Sequence, residues 1–304
     1  MSRKYPVIVV TGSSGAGTTT AKHALENIIR REFQSDCAMH ECVKVAVIEG
    51  DSMHSLDRMA FRAAVAEAAK AGKRPISHFG PEANHFDKIE ETFKTFGETG
   101  TCRRRYYIHS DQEAKDLNAR LGTNLGPGQF TPWEDIPAGS NILFYEGLHG
   151  MVKTDTVNVA KHVDLSVGVV PVVNLEWIQK IHRDAAERGY SAEATVDTIL
   201  RRMPDYINYI TPQFSLTDVN FQRVATVDTS NPFIARDIPT PDESFVVIRF
   251  RNPKGVNFPY FLNMIHDSFM SRSNTIVVPG GKMSLAMELI LTPLMHNLID
   301  NRNK

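Results

Sequence analysis

The stretch Val7-Ile8-Val9-Val10-Thr11-Gly12-Ser13-Ser14-Gly15-Ala16-Gly17-Thr18-Thr19-Thr20 constrains this chain more than any other. Its four consecutive β-branched apolar residues read as a strand buried on both faces, the mark of a parallel sheet. The run breaks at glycines 12, 15 and 17, and the helix-forming Ala21-Lys22-His23-Ala24-Leu25-Glu26 follows at once. Glycines let successive backbone N–H groups turn inward, and the next helix brings its positive end to the same spot. Together they make a nest for a di- or triphosphate. Gly12, Gly17 and Thr19 fall on the spacing G-x-x-x-x-G-K-[ST], so Gly12, Ser13, Ser14, Gly15, Ala16, Gly17, Thr18, Thr19 and Thr20 are the expected nucleotide-binding residues. Thr18 stands where the lysine of that pattern belongs, so the cation accompanying the transferring phosphoryl group must come from elsewhere. A glycine-rich turn with no ligand is the plainer alternative.

Composition narrows the partners. Lys plus Arg number 34 against 35 Asp plus Glu, a net charge of -1, so no overall basic field exists to hold nucleic acid. An anionic ligand must be met by local arginines. The 304 residues are enough to bury about three quarters of the unfolded surface, and no repeat, low-complexity tract or long linker divides them. A single domain over 1–304 is expected, with an irregular lid or connection around 98–140. Residues 1–6 run straight into the first strand, too short for a signal sequence or a membrane span, which points to the cytoplasm. Cys37, Cys42 and Cys102 are odd in number and lack C-x-x-C spacing, which fits a reducing compartment better than a disulfide frame.

Periodicity predicts helices over 19–34, 57–72, 86–97, 174–188, 191–203 and 281–299, and strands over 43–49, 141–145, 163–170, 219–227, 245–251 and 275–278. That alternation argues for an α/β fold of the P-loop NTP-hydrolase-like kind: a mixed, mostly parallel sheet with helices on both faces. Ligand then sits at the carboxyl ends of the strands. Trp177, Phe144 and Phe214 read as core.

Asp51 lies just past the second strand, with His54 and Arg58 close behind. If the first two strands are neighbours, Asp51 faces the phosphate loop and can accept the proton of an attacking hydroxyl. The alternative is an N-cap for the next helix. Glu146 ends the strand over 141–145, where phosphate-loop proteins place the acid that holds Mg²⁺; a plain strand-end acid is the other reading. Lys180, Arg183 and Asp184 share one face of the helix over 174–188, and Arg188 falls in its last turn. A solvated charged face explains them, unless Lys180 supplies the charge missing from the loop and the arginines clamp a second anion. Arg30 and Arg31, Arg103 to Arg105, and Arg201 with Arg202 read as surface charges unless the fold brings them to a cleft.

Gly12 to Thr18, Glu49-Gly50-Asp51, Phe144-Tyr145-Glu146-Gly147-Leu148-His149-Gly150, the block Asn174 to Asp184, and Val227-Asp228-Thr229-Ser230-Asn231-Pro232-Phe233 together resemble the bacterial-type phosphoribulokinases, from about residue 5 to 295. The resemblance implies ATP-dependent phosphorylation of ribulose 5-phosphate at its C1 hydroxyl, a step of carbon fixation by the Calvin cycle. It implies Asp51 as base, Glu146 as the Mg²⁺-associated acid and Lys180 on the transferring phosphate. Asp184 matches a family acid that is either catalytic or metal-linked. His54, Arg58, Arg183 and Arg188 would hold the sugar phosphate, with Arg31, Tyr107 and His109 as lesser contributors. It also implies a homo-octamer with NADH and AMP as effectors, Arg249 and Arg272 matching positions linked to that control. Plant members carry a redox-switched cysteine in the loop; here Ser14 and Ala16 stand there. The segment around 35–42 is longer than the family usually shows.

Two other readings compete. A kinase for a neutral nucleoside or pantothenate-like acceptor would share the loop and Asp51, but would not require Arg58, Arg183 and Arg188 together. A nucleotide-gated switch would need no base, and the N-K-x-D guanine-reading motif is missing from the sequence.

Overall fold

The computed structural model describes residues 4–13, 17–34, 42–235 and 237–301, with the side chains of 187 and 188 outside that set. β1 (Val7–Gly12) is buried along its whole length. It feeds α1 (Thr18–Ile28), which a π turn prolongs over Ile29–Phe33. The chain continues through β2 (Val45–Glu49), α2 (Arg58–Lys70), α3 (Phe86–Thr99), β3 (Arg103–Arg104), α4 (Asp111–Leu121), β4 (Glu134–Asp135) and β5 (Ile142–Gly147). Then come β6 (Leu165–Val170), α5 (Val173–Arg188), α6 (Ala192–Asp205), β7 (Val219–Ala225), β8 (Ser244–Phe250), α7 (Phe258–Met264), β9 (Phe269–Arg272), β10 (Thr275–Pro279) and α8 (Met283–Asn301).

Eight strands form one sheet in the order β2-β5-β1-β6-β7-β8-β10-β9. Pairings from β2 to β7 are parallel, and those from β7 to β9 antiparallel. The sheet is therefore mixed and mostly parallel, as the alternation predicts. Side chains of β1 alternate between its faces. Ile8 and Val10 pack with α1 and α8, while Val7 and Val9 pack with Phe86, Ile89, Phe93 and Phe96 of α3. Phe144 and Phe214 are buried, but Trp177 is only half-buried and stacks on Phe233 at 5.4 Å, so it is not core.

Three expectations need correction. The first two strands are not neighbours: Tyr145 of β5 pairs with Val9 on one side and Ile48 on the other. β5 begins with four fully buried residues and suits the covered slot, whereas β2 alternates buried and half-buried positions and suits an edge. The segment 98–140 is not irregular throughout, because it holds α4 and the ribbon β3–β4. Ser110 caps α4 by accepting from the Glu113 N–H at 3.2 Å, and Gly122 ends it in the left-handed region. Finally, Cys42 is disulfide-bonded while Cys102 is free and buried, an odd count being no bar to one pair. Of the long segment around 35–42, residues 35–41 lie outside the described residues. Among the described residues, no helix is long and apolar enough to cross a membrane.

Candidate active site

The turn after β1 is built by close approach. A Cβ on Gly12 would lie 2.6 Å from the Val169 carbonyl oxygen, and Gly17 takes φ +103° at the start of α1. Ser14, Gly15 and Ala16 lie outside the described residues. Two further glycines bring β2 and β5 together where they end. A Cβ on Gly50 would sit 2.7 Å from the Gly147 Cα, so only this pair lets the turn Gly50–Met53 fold down beside Glu146.

That turn presents Asp51. It is not a helix cap, since Asp57 caps α2 by accepting from the Ala60 N–H at 2.8 Å. Asp51 Oδ1 lies 3.4 Å from His54 Nε2 and its Oδ2 3.8 Å from His109 Nε2. Burial pushes this carboxyl up, but His54, His109 and His78 outweigh it and hold it at about 2. The side chain is nonetheless 44% exposed, so it sits in a concave wall that water still reaches and screens. His54 is backed by Asn84, and Tyr107 stands edge-on to both His54 and His109. Arg105 donates to the Ser52 and His54 carbonyls at 2.8 and 2.6 Å and lies over the rings of Phe130 and Trp133. It pins the turn from behind. His149, fully buried below, is held neutral, burial pushing it down to about 3.

Glu146 closes the phosphate-loop side. Burial pushes its carboxyl up, with the Thr18 hydroxyl and Lys22 opposing and Asp51 and Glu49 adding like charge. Lys22, on the first turns of α1, binds Glu49 at 2.9 Å.

The opposite wall is α5. Glu176, Lys180 and Asp184 recur every four residues on a face that is buried although charged. Burial pushes Glu176 up; the Ser13 hydroxyl of the loop and Tyr206, whose hydroxyl donates at 3.2 Å, oppose it. Lys180 Nζ donates to Asp184 Oδ2, and Arg183 reaches Asp184 Oδ1 at 3.5 Å. Burial and then Arg202 push Lys180 down, while Asp184 opposes them. Lys180 lies one turn from Glu176, on the face that meets the loop.

A latch joins the two walls. Asp205, 1% exposed at the end of α6, pairs with Arg74 and accepts the Ser77 hydroxyl at 2.7 Å. It thereby anchors the loop carrying His78 and Asn84 to the element carrying Arg202 and Tyr206.

The structure thus brings Asp51, His54, Tyr107 and His109 together, and Lys180, Arg183 and Asp184 together. Arg58 opens α2, its N–H bonded to the Gly128 carbonyl at 2.9 Å. The Arg188 side chain lies outside the described residues. Arg31 is not part of this site. It follows α1, which runs away from the loop, about 20 Å at 1.5 Å per residue, and pairs there with Glu32 and Glu288 on α8. Sequence reading missed Asn84, Glu176, Asp205 and Lys22, and gave Arg105 as a surface charge unless the fold brought it to a cleft, which it does. Only Lys22, one turn after Thr18 on the same helix, had a local signal.

Comparison with known proteins adds to this geometry. The profile of the "Phosphoribulokinase / Uridine kinase family" matches residues 7–230. The chain is 58% identical over 304 residues to a protein of Cupriavidus necator named "Phosphoribulokinase, chromosomal", covering 100% of this chain and 99% of that one. It is 57% identical over 304 residues to "Phosphoribulokinase" of Nitrobacter vulgaris, covering 100% of both. Among solved structures, the phosphoribulokinase from Rhodobacter spheroides superposes with a TM-score of 0.86 at 52% identity, over 99% of each chain.

Proposed function

We propose, from the premise that this chain belongs to the phosphoribulokinase/uridine kinase family, that it transfers the terminal phosphoryl group of ATP to the C1 hydroxyl of D-ribulose 5-phosphate. The observation that carries the reading is an ionised, water-reachable Asp51 held by histidines at the strand edge that also carries Glu146 and the glycine loop. Phosphoryl transfer asks for positioning and charge stabilisation more than for covalent chemistry. Asp51 takes the proton of the attacking hydroxyl, and a carboxylate held ionised is always ready to accept one. His54, Arg58, Arg183 and Arg188 meet the phosphate of the acceptor, with Tyr107 and His109 lining the same wall. Lys180 supplies the charge that Thr18 does not. Its tie to Asp184 gives that acid the role of aiming the ammonium.

Mg²⁺ neutralises charge on the transferring phosphates when bound. Glu146 would hold it, directly or through water, since one or two carboxylates beside substrate oxygens suffice for such an ion. Glu146, beside Thr18 and within electrostatic reach of Asp51, fits that demand. We also read the 304 residues as one cytoplasmic kinase domain that assembles as a homo-octamer and takes NADH and AMP as effectors. Arg249, whose guanidinium donates to the Phe214 carbonyl at 3.0 Å, and Arg272 are both registered with Thr275 across adjacent strands, and we read them as the residues linked to that control.

An ADP-release assay over a panel of acceptors, with and without NADH and AMP, tests the reading. Ribulose 5-phosphate should drive turnover far above uridine, pantothenate or water. A neutral acceptor equalling it would overturn the assignment.

A further inference from the structure

We propose that Asn84 is a positioning residue that fixes which nitrogens of the His54 ring carry protons and so aims an N–H at Asp51; this rests on Asp51 being the base. Asn84 is 6% exposed, and its Nδ2 donates to the His78 and Gly80 carbonyls at 2.8 and 2.7 Å. Those two carbonyl oxygens only accept, so the amide has one orientation. Its Oδ1 therefore faces His54 Nδ1, 2.7 Å away, and that nitrogen must donate. On the far side of the ring Nε2 stands 3.4 Å from Asp51 Oδ1, which is also an acceptor. A ring held between two acceptors satisfies both only with a proton on each nitrogen.

The ring has no freedom to escape this arrangement. His78 lies beside it at 4.8 Å with Phe61 stacked behind at 3.7 Å, and Tyr107 stands edge-on at 6.3 Å. His54 and Asn84 also form a backbone bridge, and Arg105 holds the His54 carbonyl. The titratable and charged groups facing the ring are Asp51, His78, His149, Tyr107 and Arg105, the last through backbone only. Oδ1 of Asp51 stands toward His54 at 3.4 Å and Oδ2 toward His109 at 3.8 Å, so Oδ2, the less closely approached oxygen, is the one that meets the incoming hydroxyl. Replacing the Asn84 oxygen removes the acceptor at Nδ1, and the ring then meets Asp51 as a singly protonated imidazole.

Magic-angle-spinning ¹⁵N spectra of histidine-labelled full-length protein test this, His54→Gln identifying the His54 signals. The wild type should show both His54 nitrogens protonated at neutral pH. Asn84→Leu should convert them to a singly protonated pattern and lower kcat about 10- to 100-fold, the range of a lost hydrogen bond to a charged group, with the KM for ATP unchanged. Asn84→Gln, which keeps an amide oxygen for Nδ1 and an amide N–H for the carbonyls, should retain the doubly protonated ring and more of kcat than Asn84→Leu. A singly protonated wild-type ring, an unaltered ring in Asn84→Leu, or parallel losses in kcat and ATP affinity would each refute the proposal. If Asn84→Leu does not fold, Asn84→Ala, which also removes the acceptor at Nδ1, decides by the same ring pattern. An active Asp51→Asn enzyme would refute the base assignment instead, while the ring spectra would still be read independently.

Discussion

The two ends of the parallel strands use carboxylates in opposite ways. At the amino edge, Asp164 accepts the Val7 N–H at 2.9 Å, and Asp218 accepts both the N–H and the hydroxyl of Ser166, at 2.9 and 2.7 Å, while pairing with Arg251. These acids complete the hydrogen bonding of strand ends, and their oxygens are taken by strand N–H groups and, at Asp218, by a serine hydroxyl and Arg251 as well. At the carboxyl edge, Asp51, Glu146 and Glu176 face histidines, hydroxyls, lysines and one another, and their proton affinities are displaced in both directions. An acid beside a strand is therefore uninformative by itself. What its oxygens touch separates scaffold from chemistry.

The contrast breaks most visibly if the carboxyl-edge charges prove dispensable. Asp51→Asn and Lys180→Met should each lower kcat by about 10³-fold or more, the scale of a lost general base or transition-state cation. ATP binding, followed by calorimetry, should stay within about twofold. Near-normal turnover in either variant would remove the distinction between the two edges. Next in size is Arg58→Ala. The arginine is held at the head of α2 by the bond from its N–H to Gly128, and a Cβ on that glycine would lie 2.7 Å from the Arg58 Cβ. Losing one charge-assisted contact should raise the KM for ribulose 5-phosphate about tenfold with little change in kcat.

How much of this was legible in the sequence follows the same line. The strand–glycine loop–helix unit and the strand-end places of Asp51 and Glu146 are readable from residues a few positions away, whereas Lys180 stands out only because the distant loop has Thr18 where its lysine belongs. Strand order is different. The place of β5 between β1 and β2 depends on Gly50 meeting Gly147 across 97 residues of chain, a contact that no local pattern announces. Asn84 reaches His54 from 30 residues away and Asp205 reaches Ser77 from 128, so neither carries a motif. Arg31 was misplaced for a geometric reason: a helix that starts at the loop carries its last turn to the wrong edge. The Ser110–Glu113 cap of α4 is local, but the glycines and prolines after it dominate the segment and mask its signal.

Asp218→Ala sharpens the contrast from the other side. It frees the N–H and hydroxyl of Ser166 and leaves Arg251 without this partner. With Asp218 about a third exposed, a loss of about 1–2 kcal/mol is expected, seen as a few degrees in Tm, with kcat unchanged. A large fall in kcat at constant Tm would show the amino edge to be more than scaffold.

The smallest effect separates two acids of the same edge by sign. Asp51 is held at about 2 in the fold against an ordinary 3.8, so its stabilisation is present above pH 3.8 and disappears as the pH falls toward 2. Because the side chain is 44% exposed, screening keeps this contribution below about 1 kcal/mol. Glu146 is displaced upward from 4.5 by burial, so the fold favours its protonated form. Its ionisation costs stability once the pH rises through 4.5, and costs nothing below it. Thermal unfolding between pH 2 and 7 should then diverge for the two amide variants. Asp51→Asn should be slightly less stable than wild type at pH 7, by about 2 °C or less, and converge with it toward pH 2. Glu146→Gln should be the more stable protein at pH 7 and lose that advantage below 4.5, the expected sign for a carboxyl that burial holds above its ordinary range. If both variants shifted Tm in the same direction at pH 7, the two carboxylates would not stand in the opposed environments that this edge assigns them.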